Sequence, residues 1–205
     1  GDTAGNRLTG FFGGDEFDGC NEYLVITRPH IIQEIHEAYL AAGADIVETN
    51  TFGGTNFVLD EFGLGHKVEE VNRKAVELAK AACEKYSTKD KPRFVAGAMG
   101  PTTKALSVTG GISFDDLAFS FYEQAKTLTD AGADYLLLET ALDTLNLKAA
   151  YVGILRAFEE LKKEIPIAIS GTIETMGTML AGQAVEAFYT SVEHMNPLYI
   201  GLNCA

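Results

Sequence analysis

The chain has 205 residues, is 46% apolar with 10% aromatic residues, and contains 21 glycines, which suits one globular domain long enough to bury a core. A formal net charge of −13 argues against nucleic acid or an anionic membrane as a partner, because such a surface repels phosphate groups. No apolar run approaches the roughly 18 residues of a membrane span, and no secretory leader pattern opens the chain. The three cysteines are irregularly spaced and do not predict disulfides. We therefore expect a cytoplasmic protein.

The first helix and strand are predicted after an irregular opening segment. Residues 1–20 have no periodic apolar pattern and predict a loop. Apolar residues then recur at helical spacing over residues 29–40. The next segment, Ala42-Gly-Ala-Asp-Ile-Val-Glu-Thr49, places a glycine where a helix ends and follows it with a short apolar run. That combination predicts a helix that leads directly into a buried parallel strand.

The same arrangement occurs again further along the chain. A helix is predicted over residues 114–129, and it leads into Ala131-Gly-Ala-Asp-Tyr-Leu-Leu-Leu-Glu-Thr140. Three further strands are predicted at 93–97, 166–171 and 198–202, with helices at 67–85, 145–163 and 181–194. The chain therefore alternates strands with helices.

Five strands alternating with helices at a period of about 30–45 residues predict a parallel α/β sheet. An open doubly wound sheet could be complete with five strands, whereas a (β/α)8 barrel needs about 250 residues. No predicted strand is followed by a Gly-x-Gly-x-x-Gly turn, and every strand ends in similar polar residues, as expected around a single barrel mouth. We therefore predict a truncated (β/α)8 TIM barrel with about five βα units, and treat residues 1–205 as one partial barrel domain.

The residues that follow the predicted strands are mostly polar, and in a parallel barrel they would share one face. They are Glu48, Thr49, Asn50 and Thr51, then Met99, Gly100, Pro101 and Thr102, then Glu139, Thr140 and Asp143, then Gly171, Thr172 and Glu174, and finally Asn203 and Cys204. This set contains no histidine, which argues against a Ser-His-Asp hydrolase and against a histidine-rich metal site. It favours a site that binds an ammonium group through carboxylates and handles sulfur through a thiolate.

Five of these segments carry a family resemblance. Ala42-Gly-Ala-Asp-Ile-Val-Glu-Thr-Asn-Thr-Phe52, Met99-Gly-Pro101, Leu138-Glu-Thr140 with Asp143-Thr-Leu-Asn146, Ser170-Gly-Thr172 and Gly201-Leu-Asn-Cys-Ala205 resemble the homocysteine S-methyltransferase domain. The likeness is strongest to the homocysteine-binding module of cobalamin-dependent methionine synthase, and it runs in order from about Gly19 onward. Any one segment alone would be a weak signal, but five at successive strand ends are specific.

The resemblance implies zinc-dependent activation of the homocysteine thiol on a (β/α)8 barrel. In this family three cysteine thiolates hold Zn²⁺, and Cys204 is similar to the first of them. Zinc lowers the pKa of the substrate thiol, which makes a thiolate nucleophile available at neutral pH. The other two family ligands lie in a Gly-Gly-Cys-Cys-Gly segment on the last strand, which we expect beyond Ala205. The family's first-strand Asp-Gly-Ala-Met-Gly-Thr segment is not in this sequence either.

The resemblance also implies roles for other residues and for partners. Glu139 is similar to the carboxylate that binds the homocysteine ammonium, Thr49, Asn50 and Thr51 are expected to line the substrate pocket, and Asn203 is expected to orient the metal-bound region. No residue is assigned as catalytic. The expected reaction gives methionine, with methylcobalamin as donor on a separate module, and cobalamin-binding and folate-binding modules in the same or another chain. Other family members use betaine or S-methylmethionine.

The same residues are also compatible with other functions. An unrelated TIM-barrel lyase or aldolase could use the same carboxylates, although no lysine ends a strand to form a Schiff base. The chain could also be a non-catalytic fragment of a larger barrel, with open sheet edges. Glu48 could be a second ammonium ligand or part of a structural hydrogen-bond network. A cysteine at a strand end is often only a small buried apolar residue, so the metal role of Cys204 depends on its context.

Overall fold

The computed structural model describes residues 11–204 as a parallel sheet covered on one side by helices. The strands are β1 (Ile46–Glu48), β2 (Phe94–Met99), β3 (Tyr135–Ala141), β4 (Ile167–Gly171) and β5 (Ile200–Leu202). The helices are α1 (Leu24–Thr27), α2 (Pro29–Ala41), α3 (Asn56–Leu59), α4 (Val68–Tyr86), α5 (Phe114–Ala131), α6 (Thr144–Leu161) and α7 (Val185–Val192). Short 3-10 turns lie at Asp15–Phe17, Asn21–Tyr23, Asp60–Phe62, Gly65–Lys67 and Glu193–Met195. No helix within residues 11–204 is both long enough and apolar enough to cross a membrane.

The strands pair in chain order, β1-β2-β3-β4-β5, and every pair is parallel. A doubly wound sheet reverses its strand order at a switch point, whereas a barrel adds each strand beside the previous one. The observed order is the barrel order. The prediction of a truncated (β/α)8 barrel is therefore confirmed as a five-stranded half-barrel.

Alternate residues of each strand face opposite sides of the sheet, as strand geometry requires. On the outer side, Leu136, Leu138 and Ile169 pack with residues of the covering helices in the largest apolar cluster. On the inner side, Ala96, Tyr135, Leu137 and Ala168 form a separate buried cluster. This inner side corresponds to the barrel lumen, and the carboxyl ends of the strands form its mouth.

Local sequence explains why α5 and α6 begin where they do. Ser113 caps α5 by accepting a hydrogen bond from the Asp116 backbone N–H, and Asp143 caps α6 by accepting one from Leu145. Such side-chain acceptors satisfy N–H groups that have no partner within the helix. At the end of α5, Gly132 adopts the left-handed conformation at φ 99°, as the repeated Ala-Gly-Ala-Asp segment predicts.

The structure departs from the predicted elements in two places. Helices α1 and α3 have four residues each and were not predicted, because so short a segment cannot show a helical period. Helix α7 begins at Val185 rather than at residue 181, since a bridge between Thr178 and Ala184 holds the preceding segment in an extended turn. Of the predicted opening loop, residues 1–10 lie outside the described residues.

Candidate functional site

The ends of β3, β4 and β5 are joined by the side chain of Asn203, which follows β5 directly. Its Oδ1 accepts hydrogen bonds from the Ser170 hydroxyl at 2.6 Å and from the Thr140 backbone N–H at 3.2 Å. Its Nδ2 donates to Thr140 Oγ1 at 2.8 Å and to Cys204 Sγ at 3.3 Å. All the hydrogen-bonding positions of the amide are therefore used within the protein.

Thr140 and Cys204 both have an unusual backbone at this point. Their φ angles are 57° and 54°, in the left-handed region that β-branched threonine in particular avoids. The Thr140 hydroxyl also lies 3.9 Å from Cys204 Sγ. The end of β3 and the end of the described chain are thus held side by side, with the thiol of Cys204 exposed to solvent.

Glu139 precedes Thr140 and is half-buried at the mouth. Burial raises the pKa of its carboxyl to about 7, and the negative charge of Glu48 adds to the effect. Glu48, at the end of β1, is the more exposed of the two, and burial raises its pKa by a smaller amount. The two carboxylates border one groove, which is lined on its other side by apolar residues of α2 and by Phe52. This arrangement makes the groove attractive to a cation.

The residues after β1 belong to a different hydrogen-bond network. Thr49 and Thr51 are buried with their hydroxyls 2.6 Å apart, and the Thr51 hydroxyl donates to the Ala98 carbonyl at 2.6 Å. Asn50 donates to the Asn21 carbonyl at 2.7 Å. These hydrogen bonds hold the loop that follows β1 against strand β2 and against the segment that precedes α1. Their role in lining the substrate pocket stays a prediction.

Among the described residues, the structure brings one thiol to the mouth. Cys204 is exposed, whereas Cys20 and Cys83 are buried in separate apolar clusters. Within residues 11–204, no group of three His, Cys, Asp or Glu side chains is placed so that it could hold a metal ion. Structural and catalytic zinc sites use three or four protein ligands, so the described residues do not hold zinc by themselves.

Sequence reasoning did not assign two of the residues that organise this site. Ser170 belongs to one of the segments that carry the family resemblance, but its hydroxyl was given no role. Asp143 was placed on the mouth, yet it is buried, caps α6, and accepts hydrogen bonds from the backbone and hydroxyl of Ser107 at 2.8 and 3.0 Å. Its position immediately before a helix was the available signal, because aspartate is a favoured N-cap residue.

The sequence was compared with known families and the fold with solved structures. The family model of homocysteine S-methyltransferase matches residues 4–205. The chain belongs to the homocysteine S-methyltransferase family. The resemblance of the five strand-end segments is thereby confirmed, and membership of this family leaves the unrelated lyase or aldolase without support.

Solved structures similar to this chain include those of the homocysteine methyltransferase MmuM from Escherichia coli. Its metallated form has a TM-score of 0.75 at 23% identity, covering 88% of this chain and 65% of that one. The oxidised form has a TM-score of 0.76 at 23% identity, covering 93% and 66%, and the apo form 0.69 at 22%, covering 92% and 67%. At this identity the likeness establishes a shared fold. The chain spans 65% and 66% of the length of the first two structures.

Proposed function

We propose that this chain is part of the barrel of a homocysteine S-methyltransferase, and that it binds homocysteine for methylation of its thiol to give methionine. One observation carries the proposal. In a chain of this family, a half-buried carboxylate, Glu139, immediately precedes Thr140, whose hydroxyl contacts both Asn203 and Cys204 at the mouth of the half-barrel. The site therefore offers an anionic group and a sulfur-bearing group to one small substrate.

Glu139 is proposed to bind the substrate ammonium. A carboxylate that accepts hydrogen bonds from an ammonium makes a charge-assisted contact, which is stronger than a neutral hydrogen bond. Partial burial strengthens the contact further, because less water competes for either charge. Glu48 increases the negative potential of the same groove. An ammonium bound there would favour the charged form of Glu139 and lower its pKa.

The sulfur end of the substrate is proposed to lie near Cys204. Thr140 connects the two ends, since it follows Glu139 in the chain and its hydroxyl lies 3.9 Å from Cys204 Sγ. Thr49, Asn50 and Thr51 are proposed to shape the side of the pocket nearest β1, and Asn203 to orient the sulfur region. These roles use only residues of this chain.

The finer parts of the proposal concern the metal and the methyl donor. For the whole protein we propose one zinc ion, with Cys204 as one ligand and two cysteines beyond Ala205 as the others. We propose methylcobalamin as donor, carried on a separate module, with a folate-binding module in the same or another chain. The support is the likeness of Glu48-Thr-Asn-Thr-Phe52 and Leu138-Glu-Thr-Ala-Leu-Asp-Thr-Leu-Asn146 to the cobalamin-dependent branch.

Substitution of Glu139 tests the ammonium contact. We expect Glu139→Gln to weaken L-homocysteine binding about tenfold or more, since loss of one charged hydrogen-bond partner costs about 1.5–3 kcal/mol. Isothermal titration calorimetry measures the affinity, and 4-sulfanylbutanoate, which lacks the ammonium, should bind the wild type and the variant equally. Glu186→Gln on α7 is the matched control. Equal homocysteine affinities for wild type and Glu139→Gln would refute the assignment.

Substitution of Cys204 tests the metal proposal in the full-length protein. We expect wild type to contain about one zinc per chain and Cys204→Ser to lose most of it together with methyl transfer, because a three-thiolate site loses a ligand. Elemental analysis and a methionine-formation assay provide the measurements. Cys83→Ala, which alters a buried thiol elsewhere, should keep both. Zinc and activity intact in Cys204→Ser would exclude this ligand role.

The methyl donor can be assigned in the same assay. Methylcobalamin, betaine and S-methylmethionine are supplied in turn, and we expect only methylcobalamin to support methionine formation. Activity with either of the other donors alone would place the protein in another branch of the family.

A further inference from the structure

Strand β3 contains an irregularity at the candidate site. Its pairing with β4 runs through Leu138 and Ile169 and then resumes at Ala141 and Gly171. Two residues of β3, Glu139 and Thr140, thus lie opposite one residue of β4, Ser170. Two residues facing one is the definition of a β-bulge, and bulges next to active sites redirect side chains.

The bulge changes which side chains reach the mouth. Leu137 faces the lumen, so simple alternation would place Glu139 and Ala141 in the mouth and Thr140 against the helices. Instead, Ala141 is buried in the outer apolar cluster, while the Thr140 hydroxyl contacts Asn203 and Cys204. Two consecutive polar side chains therefore face the mouth.

This conformation has a cost that other groups must offset. Threonine at φ 57° is strained, and such strain persists only where the surroundings hold it in place. A bulge also removes ladder hydrogen bonds from the extra residue. Here the Asn203 amide oxygen supplies a partner for the Thr140 N–H, and the amide nitrogen donates a further hydrogen bond to the Thr140 hydroxyl. The Thr140 N–H, which can only donate, determines which end of that amide is the acceptor, and the Ser170 hydroxyl donates a second hydrogen bond to the same oxygen at 2.6 Å.

We infer that Asn203, oriented by Ser170, is a positioning residue that maintains this bulge. By doing so it presents Glu139 and Thr140 together at the mouth and keeps Thr140 beside Cys204. Thr140 becomes a further site residue, lying between the carboxylate and the thiol. The ammonium role of Glu139 rests on the proposed function, whereas the bulge and the contacts that hold it do not.

A direct test follows the backbone of Thr140 by NMR. We expect Asn203→Ala to shift the Thr140 Cα and Cβ resonances from left-handed toward extended values, and Ser170→Ala to do so in part. Ser170→Thr, which keeps the hydroxyl, should restore the wild-type resonances. Unchanged Thr140 resonances in Asn203→Ala would overturn the inference, whether or not homocysteine binds.

A double-mutant cycle tests the compensation of strain. Thr140→Gly can adopt the same φ without steric cost, so it should reduce the effect of Asn203→Ala on the unfolding midpoint by at least half. Lys162 is the matched control, because it is also left-handed, at φ 51°, but ends α6 far from Asn203 in the chain. Lys162→Gly should leave the effect of Asn203→Ala unchanged. If the effects of Thr140→Gly and Asn203→Ala on the unfolding midpoint also simply add, the inference is overturned.

Ligand binding separates this inference from the proposed function. We expect Asn203→Ala to weaken L-homocysteine binding about tenfold, and Thr140→Gly to recover part of that loss in the double variant. If the NMR and stability results hold while the wild type fails to bind homocysteine, the bulge assignment stands and the proposed function fails. If homocysteine binds wild type and Asn203→Ala equally well, the positioning role is refuted while the proposed function stands.

Discussion

The carboxyl of Glu139 is the most perturbed acid at the candidate site. Burial raises its pKa to about 7, and Glu48 contributes in the same direction. An acid with a raised pKa binds its proton more tightly in the folded protein than in the unfolded chain. The contribution of the Glu139 carboxyl to the free energy of unfolding is therefore greatest below about pH 4.5 and falls as the pH rises toward 7.

The upward direction of the Glu139 pKa shift predicts how its removal changes protein stability. Glu139→Gln should unfold at higher denaturant concentration than wild type at pH 8, with a gain of about 1 kcal/mol after allowing for solvent screening of a half-exposed group. At pH 4 the gain should largely disappear, because Glu139 is then mostly protonated in both states. Urea unfolding at the two pH values measures this, with Glu186→Gln as control. A gain that does not change with pH would contradict it.

Glu139, Asn203 and Cys204 are among many residues that follow or end an apolar strand, and it is the family resemblance of their segments that selects them from the sequence. The hydrogen bonds of Asn203 to Thr140, Ser170 and Cys204 could not be predicted in the same way. Neither could the left-handed backbone of Thr140, since threonine is an improbable residue for it and only its neighbours across the sheet hold it there.

Helices α5 and α6 make a close contact that depends on one glycine. A Cβ atom on Gly153 would lie 2.3 Å from the Ala118 carbonyl oxygen and 2.8 Å from the Tyr122 nitrogen. Both atoms belong to the backbone of α5, so side-chain movement cannot relieve the overlap. The two helix backbones therefore approach each other at this point more closely than an alanine would allow.

We expect Gly153→Ala to destabilise the protein by about 2 kcal/mol, because overpacking forces the backbones apart. Within an exposed helix the same change would stabilise by about 1 kcal/mol, so the sign of the result is decisive. Denaturant unfolding measures the difference. Val152→Ala, at the exposed neighbouring position, should have an effect below about 1 kcal/mol. A stabilising Gly153→Ala would show that the helices are further apart.

The buried polar network under the β1 loop is also an element-level feature. Gln124 of α5 donates to the Thr51 carbonyl at 2.8 Å and to Asn72 Oδ1 at 3.2 Å, and Asn72 donates to the Gly54 carbonyl at 2.7 Å. Gln124 and Asn72 occupy core positions of their helices, where periodicity predicts apolar residues. The sequence pattern cannot predict these two buried polar side chains, because each bonds to the backbone of a distant loop.

At the scale of the whole molecule, β1 and β5 each pair with a single strand within residues 11–204. Ile46, Phe94 and Tyr199, on the lumen side, are 43%, 43% and 42% exposed, and Leu202 at the β5 edge is 54% exposed. In a closed barrel such side chains fill the interior. Unpaired edges beside exposed apolar surface favour pairing with other chains.

We therefore expect this chain alone to associate as its concentration rises, because contact between chains covers these surfaces. Light scattering coupled to size-exclusion chromatography should show an apparent mass that increases with concentration. Leu202→Lys, which places a charge at the β5 edge, should reduce the increase. Val152→Lys on the outer face of α6 should not. A monomer at every concentration, or equal effects of the two lysines, would contradict the prediction.

The sequence by itself determined the alternation of strands and helices, the barrel type of fold, the family and the carboxylate and thiol candidates. These follow from local periodicity, helix-end glycines and short segments at strand ends, all of which are properties of neighbouring residues. Only the tertiary structure decided that Glu139 and Thr140 form a bulge and that Thr49 and Thr51 are buried. It also decided that Asn203 forms its hydrogen bonds with Thr140, Ser170 and Cys204. The reason is physical: strand register and contacts between distant segments set these features, and no local pattern encodes either.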